Sequence, residues 1–169
     1  WNVEALTTPE LPAVDSSAVP AMESRETPDS KTIEDLVATA NRLYPREDGR
    51  EWTAADTLKT VAVTVLHPED DDHEGPWREV IAVALPGDRQ VDMKRLEAQF
   101  APAELEESTE DDLKAHPEMV AGYMGPMVFG KQGEAAGVAE PVRFFIDAHV
   151  AEGTEGIIGG DEAGKHRFH

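Results

Sequence analysis

The feature that most restricts this chain is the octapeptide at residues 60–67, TVAVTVLH. Val61, Val63 and Val65 fall on one face and Ala62, Thr64 and Leu66 on the other, the two-residue period of a β-strand. Residues 77–85 return as a second apolar strand. Between them lies an acidic stretch, residues 68–76, whose Asp70, Asp71 and Asp72 read as solvated loop. The pattern predicts a long hairpin, after which the chain turns at Pro86, Gly87 and Asp88.

Short elements surround the hairpin. Thr32 to Asp35 fits a capping box, and Ile33, Leu36, Val37 and Ala40 then mark one face of a helix that runs to about Leu43 and stops before Pro45. Thr53 to Asp56 opens a second short helix. Asp92 caps a third, with Met93, Leu96 and Phe100 inward, and Thr109 caps a fourth that ends before Pro117. Residues 103–107, 127–129, 142–146 and 165–169 read as further strands. Residues 121–126, 130–137 and 153–164 read as glycine-rich connections. Short strands mixed with short helices predict an α+β domain with a mixed sheet. Residues 1–26, with Pro9, Pro12 and Pro20 and no periodicity, read as a linker or extended arm, which leaves residues 27–169 as the folded domain.

Composition narrows the functional classes. There is no cysteine, which removes disulfides, thiolate nucleophiles and Cys-based zinc sites. The formal charge is −20, which argues against independent tight binding of nucleic acid, because phosphate contacts need Lys and Arg. Any such contact would need a local patch, for which Arg89, Lys94, Arg95, Lys165 and Arg167 are the candidates. No apolar run approaches the roughly 20 residues that span a bilayer, and no signal peptide is visible. A chain that opens on Trp1 reads as cut from something longer, and the cytoplasm is the expected compartment.

Three groups could carry chemistry. Lys59 precedes the apolar strand, where an ammonium at a core edge can donate to a carbonyl or carboxylate; the bland reading is a solvated lysine at a helix end. Gly122, Tyr123, Met124, Gly125 and Pro126 form a loop whose backbone N–H groups could turn toward a ligand; the bland reading is an ordinary turn. Asp147 and His149 share a face at the end of a strand, and with His166 and His169 could be drawn as a metal site, although spacing this loose is common by chance. No nucleophile elbow is present.

These signals fall into one order. Residues 27–33 (TPDSKTI), 57–60 (TLKT), Gly87-Asp88 with Arg95-Leu96-Glu97, residues 109–113 (TEDDL), residues 122–126 (GYMGP), Ile146-Asp147 and Gly164-Lys165-His166 follow one another. In that order and spacing, residues 27–169 resemble the insertion (editing) domain of bacterial-type prolyl-tRNA synthetases, within the YbaK-like aminoacyl-tRNA deacylases. Residues 2–6 resemble the place where such synthetases leave their catalytic core.

The resemblance implies a mostly antiparallel, barrel-like sheet flanked by short helices. It implies hydrolysis of alanine wrongly attached to proline tRNA, by a water that the terminal ribose hydroxyl assists, with no metal and no covalent intermediate. The implied catalytic residues are Lys59, Gly122, Gly125, Asp147 and His166; Thr27, Tyr123, Met124 and Pro126 would contact substrate. Lys59 would help set which amino acid fits. The implied partners are the aminoacylated 3′ end of tRNA(Pro) and the rest of a synthetase chain; ATP and magnesium would belong to that missing core.

Four positions depart from the family pattern. Asp56 replaces the first lysine of a pair, Tyr123 a small serine and Met124 a leucine, while Asp161 stands where asparagine is typical. Tyr123 is thus expected to narrow the pocket or cover its mouth. Two other classes stay open, a weakly catalytic tRNA-binding module and a hydrolase using a metal at Asp147, His149, His166 and His169.

Overall fold

The computed structural model describes residues 11–15, 17, 19–150 and 152–169. The predicted hairpin is its centre. Strands β2 (Thr57–His67) and β3 (Trp77–Pro86) pair antiparallel from Leu58↔Pro86 to His67↔Trp77. The strand starts three residues earlier than the apolar alternation suggests, because Thr53 to Asp56 closes into a single 3-10 turn whose capping box delivers the chain straight into β2.

The other strands are β1 (Glu23–Glu26), β4 (Glu104–Glu107), β5 (Arg143–Ile146), β6 (Ile157–Gly159) and β7 (Lys165–Phe168). They build one mixed sheet in the order β1-β7-β6-β2-β3-β5, with β4 also on β2. Only β2/β6 and β3/β5 are parallel. The sheet is mostly antiparallel, as expected, but it does not close: β1 and β5 are its two ends, so a barrel is too strong a description.

Helices cover the sheet where apolar side chains demand it. On one face Val63, Val65, Ile81 and Val83 pack under Met93, Leu96 and Phe100 of α2 (Met93–Phe100). On the other, Ala82 meets Met119, Phe129 and Val142. A third cluster joins Leu36 and Ala40 of α1 (Ile33–Leu43) to Trp52, Ile157 and Phe168. Asn41 locks Trp52 by two hydrogen bonds, donating to its carbonyl at 2.9 Å and accepting from its N–H at 2.7 Å. Helix α3 is Glu110–Lys114, shorter than the sequence suggests.

Four expectations need correction. Residues 127–129 are not a strand: Pro126–Val128 is a 3-10 turn, for which Pro126 is preset at the first position. The glycine-rich stretch after it is helix α4 (Gly130–Ala136); Gly133 is required because a Cβ there would lie 2.3 Å from the Val128 carbonyl oxygen. The tail contains β6, held by partners far away in sequence. The acidic loop is also more ordered than a solvated run: Asp70 accepts from Trp77 Nε1 at 2.9 Å, and Trp77 stacks between His67 and His73.

Residues 1–10, 16 and 18 of the predicted arm lie outside the described residues, as does the segment at 2–6. Within the rest, Glu23–Glu26 form β1 on β7, and the Val14 N–H donates to the Glu152 carbonyl at 2.7 Å. Limited proteolysis is therefore expected to cut first before Glu23 and to leave a stable fragment that begins there; a first stable fragment starting at Thr27 or later would show that β1 is not held. Phe168 is fully buried, with Tyr44 and Trp52 edge-on to its ring at 5.2 and 5.8 Å. Phe168→Ala is expected to cost about 3–5 kcal/mol in urea unfolding, and a loss below about 1 kcal/mol would contradict this packing.

Candidate active site

The site follows from how β2 shares its edges. One edge pairs with β3 along its length. The other pairs with β6 only at Thr57 and Leu58, and with β4 only from Val63 to Leu66. Residues 59–62 of that edge therefore have no strand partner among the described residues. A cavity of about 320 Å³ opens at this gap, lined by Leu58, Lys59 and Thr60 from β2, residues 30–33 and Leu36 from the start of α1, Gly122 and Met124 from the glycine loop, Gly159 from β6 and His166 from β7. Elements remote in sequence thus meet at a break in the sheet.

The cavity lining holds two ammonium groups, Lys31 and Lys59, and no carboxylate. Lys59 Nζ donates to the Gly87 carbonyl at 3.3 Å, across the β2–β3 hairpin, so its stem runs along the core edge. Lys31 has no carboxylate partner among the described residues. By contrast, the basic residues expected to form a patch near the C-terminus are engaged: Lys165 pairs with Glu162 at 2.8 Å, and Arg167 lies 3.8 Å from Asp161.

His166 is 3% exposed, and its Nδ1 lies 2.6 Å from Thr27 Oγ1. Thr27 is itself fully buried and tied by its N–H to the Gly164 carbonyl at 2.7 Å. Burial pushes the His166 pKa down to about 4, against a smaller opposite pull from the Gly122 backbone. The ring is therefore neutral at pH 7. Thr27 does not line the cavity; it holds the imidazole that does. Tyr123 does not line it either. Its ring is buried at 3% exposure, 5.2 Å from the His166 ring, so it backs the histidine instead of narrowing the mouth.

The glycine loop is docked on β6 without intervening side chains. A Cβ on Gly125 would lie 2.0 Å from the Gly159 carbonyl oxygen, and one on Gly159 would lie 2.2 Å from that of Met124. The Gly125 N–H is not free for a ligand; it donates to Asp161 Oδ1 at 2.8 Å. Tyr123 N–H donates to the Val120 carbonyl, and Pro126 has no N–H. The loop's N–H groups without a hydrogen bond among the described residues are those of Gly122 and Met124, two residues of the cavity lining. Pro126 begins the 3-10 turn behind them.

Asp147 is placed elsewhere. It follows β5, on the opposite side of β2 from β7 in the strand order, and it is absent from the cavity lining. Its Oδ1 bonds His149 through both the backbone N–H, at 2.8 Å, and the ring, 2.7 Å away. Burial works against its charge, but the His149 bonds outweigh this and leave its pKa low. The four residues drawn as a metal site do not converge. His149 is on Asp147, His166 on Thr27, and His169 lies 3.1 Å from Glu155. Asp56, in place of a lysine, caps the turn before β2 and pairs with Arg50 at 2.9 Å. Ser30, Lys31 and Gly159 line the cavity although none was singled out in the sequence; Ser30 and Lys31 fall within the matched stretch 27–33, which was their only available signal.

Residues 27–169 match the aminoacyl-tRNA editing domain family. The chain is 64% identical over 162 residues to a proline–tRNA ligase of Bifidobacterium longum, covering 96% of this chain and 27% of that protein. It is 61% identical over 165 residues to one from Bifidobacterium animalis subsp. lactis, covering 97% and 28%. It is 47% identical over 167 residues to one from Kineococcus radiotolerans, covering 99% and 26%. The chain thus spans roughly a quarter of the length of these relatives. With that family's model matching residues 27–169, the whole of the sheet from β2 to β7 included, the chain belongs to the aminoacyl-tRNA editing domain family.

Proposed function

We propose that this domain hydrolyses the ester of alanyl-tRNA(Pro), as the editing part of a cytoplasmic prolyl-tRNA synthetase. The observation that carries this reading is the cavity at the open edge of β2, whose lining combines two lysines, the loop residues Gly122 and Met124, whose N–H groups have no hydrogen bond among the described residues, and an apolar wall of Ile33, Leu36, Leu58 and Met124.

The physical need for such a site is clear. A pocket built for proline cannot firmly reject alanine, since missing methylenes are worth only about 1–3 kcal/mol. A second, smaller pocket can reject the larger ring by size. The ester is already activated, so the site must position a water and stabilise charge on the carbonyl oxygen. Water adds to the acyl carbon and the carbonyl oxygen becomes an oxyanion. Collapse then breaks the bond to the ribose oxygen, which leaves with a proton that originates from the water. The N–H groups of Gly122 and Met124 are the donors suited to the oxyanion. Neutral His166, braced by Thr27 and Tyr123, offers a fixed polar wall without bringing a charge. Lys31 and Lys59 counter the repulsion between an acidic domain and the phosphates of the incoming 3′ end.

Incubation with alanyl-tRNA(Pro) and prolyl-tRNA(Pro), following ester loss, tests the reading; hydrolysis of the alanyl ester alone is the expected result. Lys59→Ala enlarges the cavity. It is expected to keep alanyl hydrolysis and to begin hydrolysing the prolyl ester, whereas unchanged rates on both esters would remove Lys59 from the site.

His166 also makes stability depend on pH. Above the unfolded-state value of 6.5 the ring is neutral in both states and nothing is lost. Between 6.5 and about 4 the unfolded chain binds a proton that the folded chain refuses, so stability falls with pH, approaching about 3 kcal/mol. Urea unfolding from pH 7 to pH 4.5 should show this fall in the wild type and a shallower one in His166→Gln. Equal slopes would place the proton uptake elsewhere.

A further inference from the structure

We propose that Asp161 is the positioning residue of this site: its carboxylate holds the backbone of residues 123–127 so that Gly122 and Met124 present their N–H groups to the cavity. The proposal rests on the hydrolytic reading above and adds a residue that does not itself line the cavity.

Three bonds tie Asp161 to the loop. Oδ1 accepts from the Gly125 N–H at 2.8 Å, and Oδ2 accepts from the Met127 N–H at 3.4 Å. The Asp161 N–H donates to the Tyr123 carbonyl at 2.9 Å. These bonds bracket Met124 on both sides. Among the described residues no other side chain accepts a hydrogen bond from an N–H of residues 122–127. The aspartate adopts φ +61°, a left-handed conformation that a short polar side chain tolerates and that turns the carboxylate back toward the loop.

The carboxylate is nearly enclosed, its side chain 8% exposed. Burial raises its pKa, while the Gly125 and Met127 N–H groups and Arg167, 3.8 Å away, pull the other way. Arg167 is the charged side chain that faces it; the Glu162–Lys165 pair in the same turn is satisfied internally. A buried carboxylate of this kind is costly unless it is hydrogen-bonded, so the fold retains it at the price of requiring the loop to stay in place. The glycine-on-glycine contact of Gly125 and Gly159 leaves no side chain to take up slack, and a shift of Asp161 is passed directly to Met124.

The test uses this chain in excess over alanyl-tRNA(Pro), so that the maximal rate constant and the half-saturating concentration are read separately. Asp161→Ala is expected to lower the rate constant between about ten- and a hundred-fold, the effect of misplaced donors, with half-saturation nearly unchanged. Asp161→Asn keeps an oxygen for the Gly125 N–H and is expected to restore most of the rate. In NMR spectra the Gly125 amide proton should move with pH as Asp161 titrates in the wild type and stay still in Asp161→Asn; this readout stands even if Asp161→Ala fails to fold. Full activity of a folded Asp161→Ala, equal impairment of the two variants, or a Gly125 amide indifferent to Asp161 would each overturn the proposal. A wild type inactive on the alanyl ester would remove the hydrolytic reading itself, whereas an active wild type beside an equally active Asp161→Ala would remove only the role of Asp161.

Discussion

The second edge of β2 is shared by two strands that do not meet. β6 runs parallel to its first two residues, β4 runs antiparallel to residues 63–66, and the stretch between them is left open. A gap in a sheet normally exposes backbone groups to water or to an unwanted strand. Here the start of α1 and the glycine loop roof it instead, and the roof stands off far enough to leave a cavity. Everything placed at the site is there because of this break. Lys59 sits in the unpaired stretch, Gly159 ends the strand that stops short, and His166 lies opposite Gly159 in the β6–β7 register.

The break must be held open against collapse, and backbone packing does that more rigidly than side chains would. Gly125 and Gly159 let two main chains touch, and Asp161 fastens one to the other through hydrogen bonds instead of apolar contact. On the far wall Thr27 fixes His166, with Tyr123 behind the ring. The site therefore has an inner layer that lines the cavity and an outer layer of Thr27, Tyr123 and Asp161 that positions it. Such an arrangement suits chemistry in which the placing of a carbonyl and a water matters more than a strong nucleophile.

The hairpin was readable from its sequence because a two-residue apolar period on either side of a polar loop is a local signal. What was not readable depended on contacts between distant residues. β6 is three residues, Ile157 to Gly159, with no periodicity of its own; pairing with β2 and β7 makes it a strand. Helix α4 was hidden by Gly133, which looks like a breaker and is in fact a contact point with Val128. Lys59, the glycine loop and His166 were found because they lie in matched motifs, but motif order cannot reveal strand order. Asp147 belongs to the same set of motifs, and the placement of β5 beside β3 puts it on the other side of β2 from His166. Tyr123 could be seen as a bulky replacement, yet only the packed structure shows that its bulk is turned inward against the imidazole.

Charge links the site to its surroundings in a way that net charge alone conceals. A chain at −20 repels a polyanion, and many of its cations are already committed to carboxylates: Arg46, Arg78, Arg143 and Lys165 among them. Arg42, Arg89, Lys94 and Lys131 are exposed and form no ion pair among the described residues, so what sets Lys31 and Lys59 apart is their place in a cavity. Lys31 and Lys59 line the cavity, whose lining contains no carboxylate. On the hydrolytic reading proposed above, the acidic body disfavours phosphate generally and the two lysines relieve that repulsion at the cavity. Under that reading, net repulsion with a local point of relief favours brief visits by a 3′ end over lasting capture of a tRNA body.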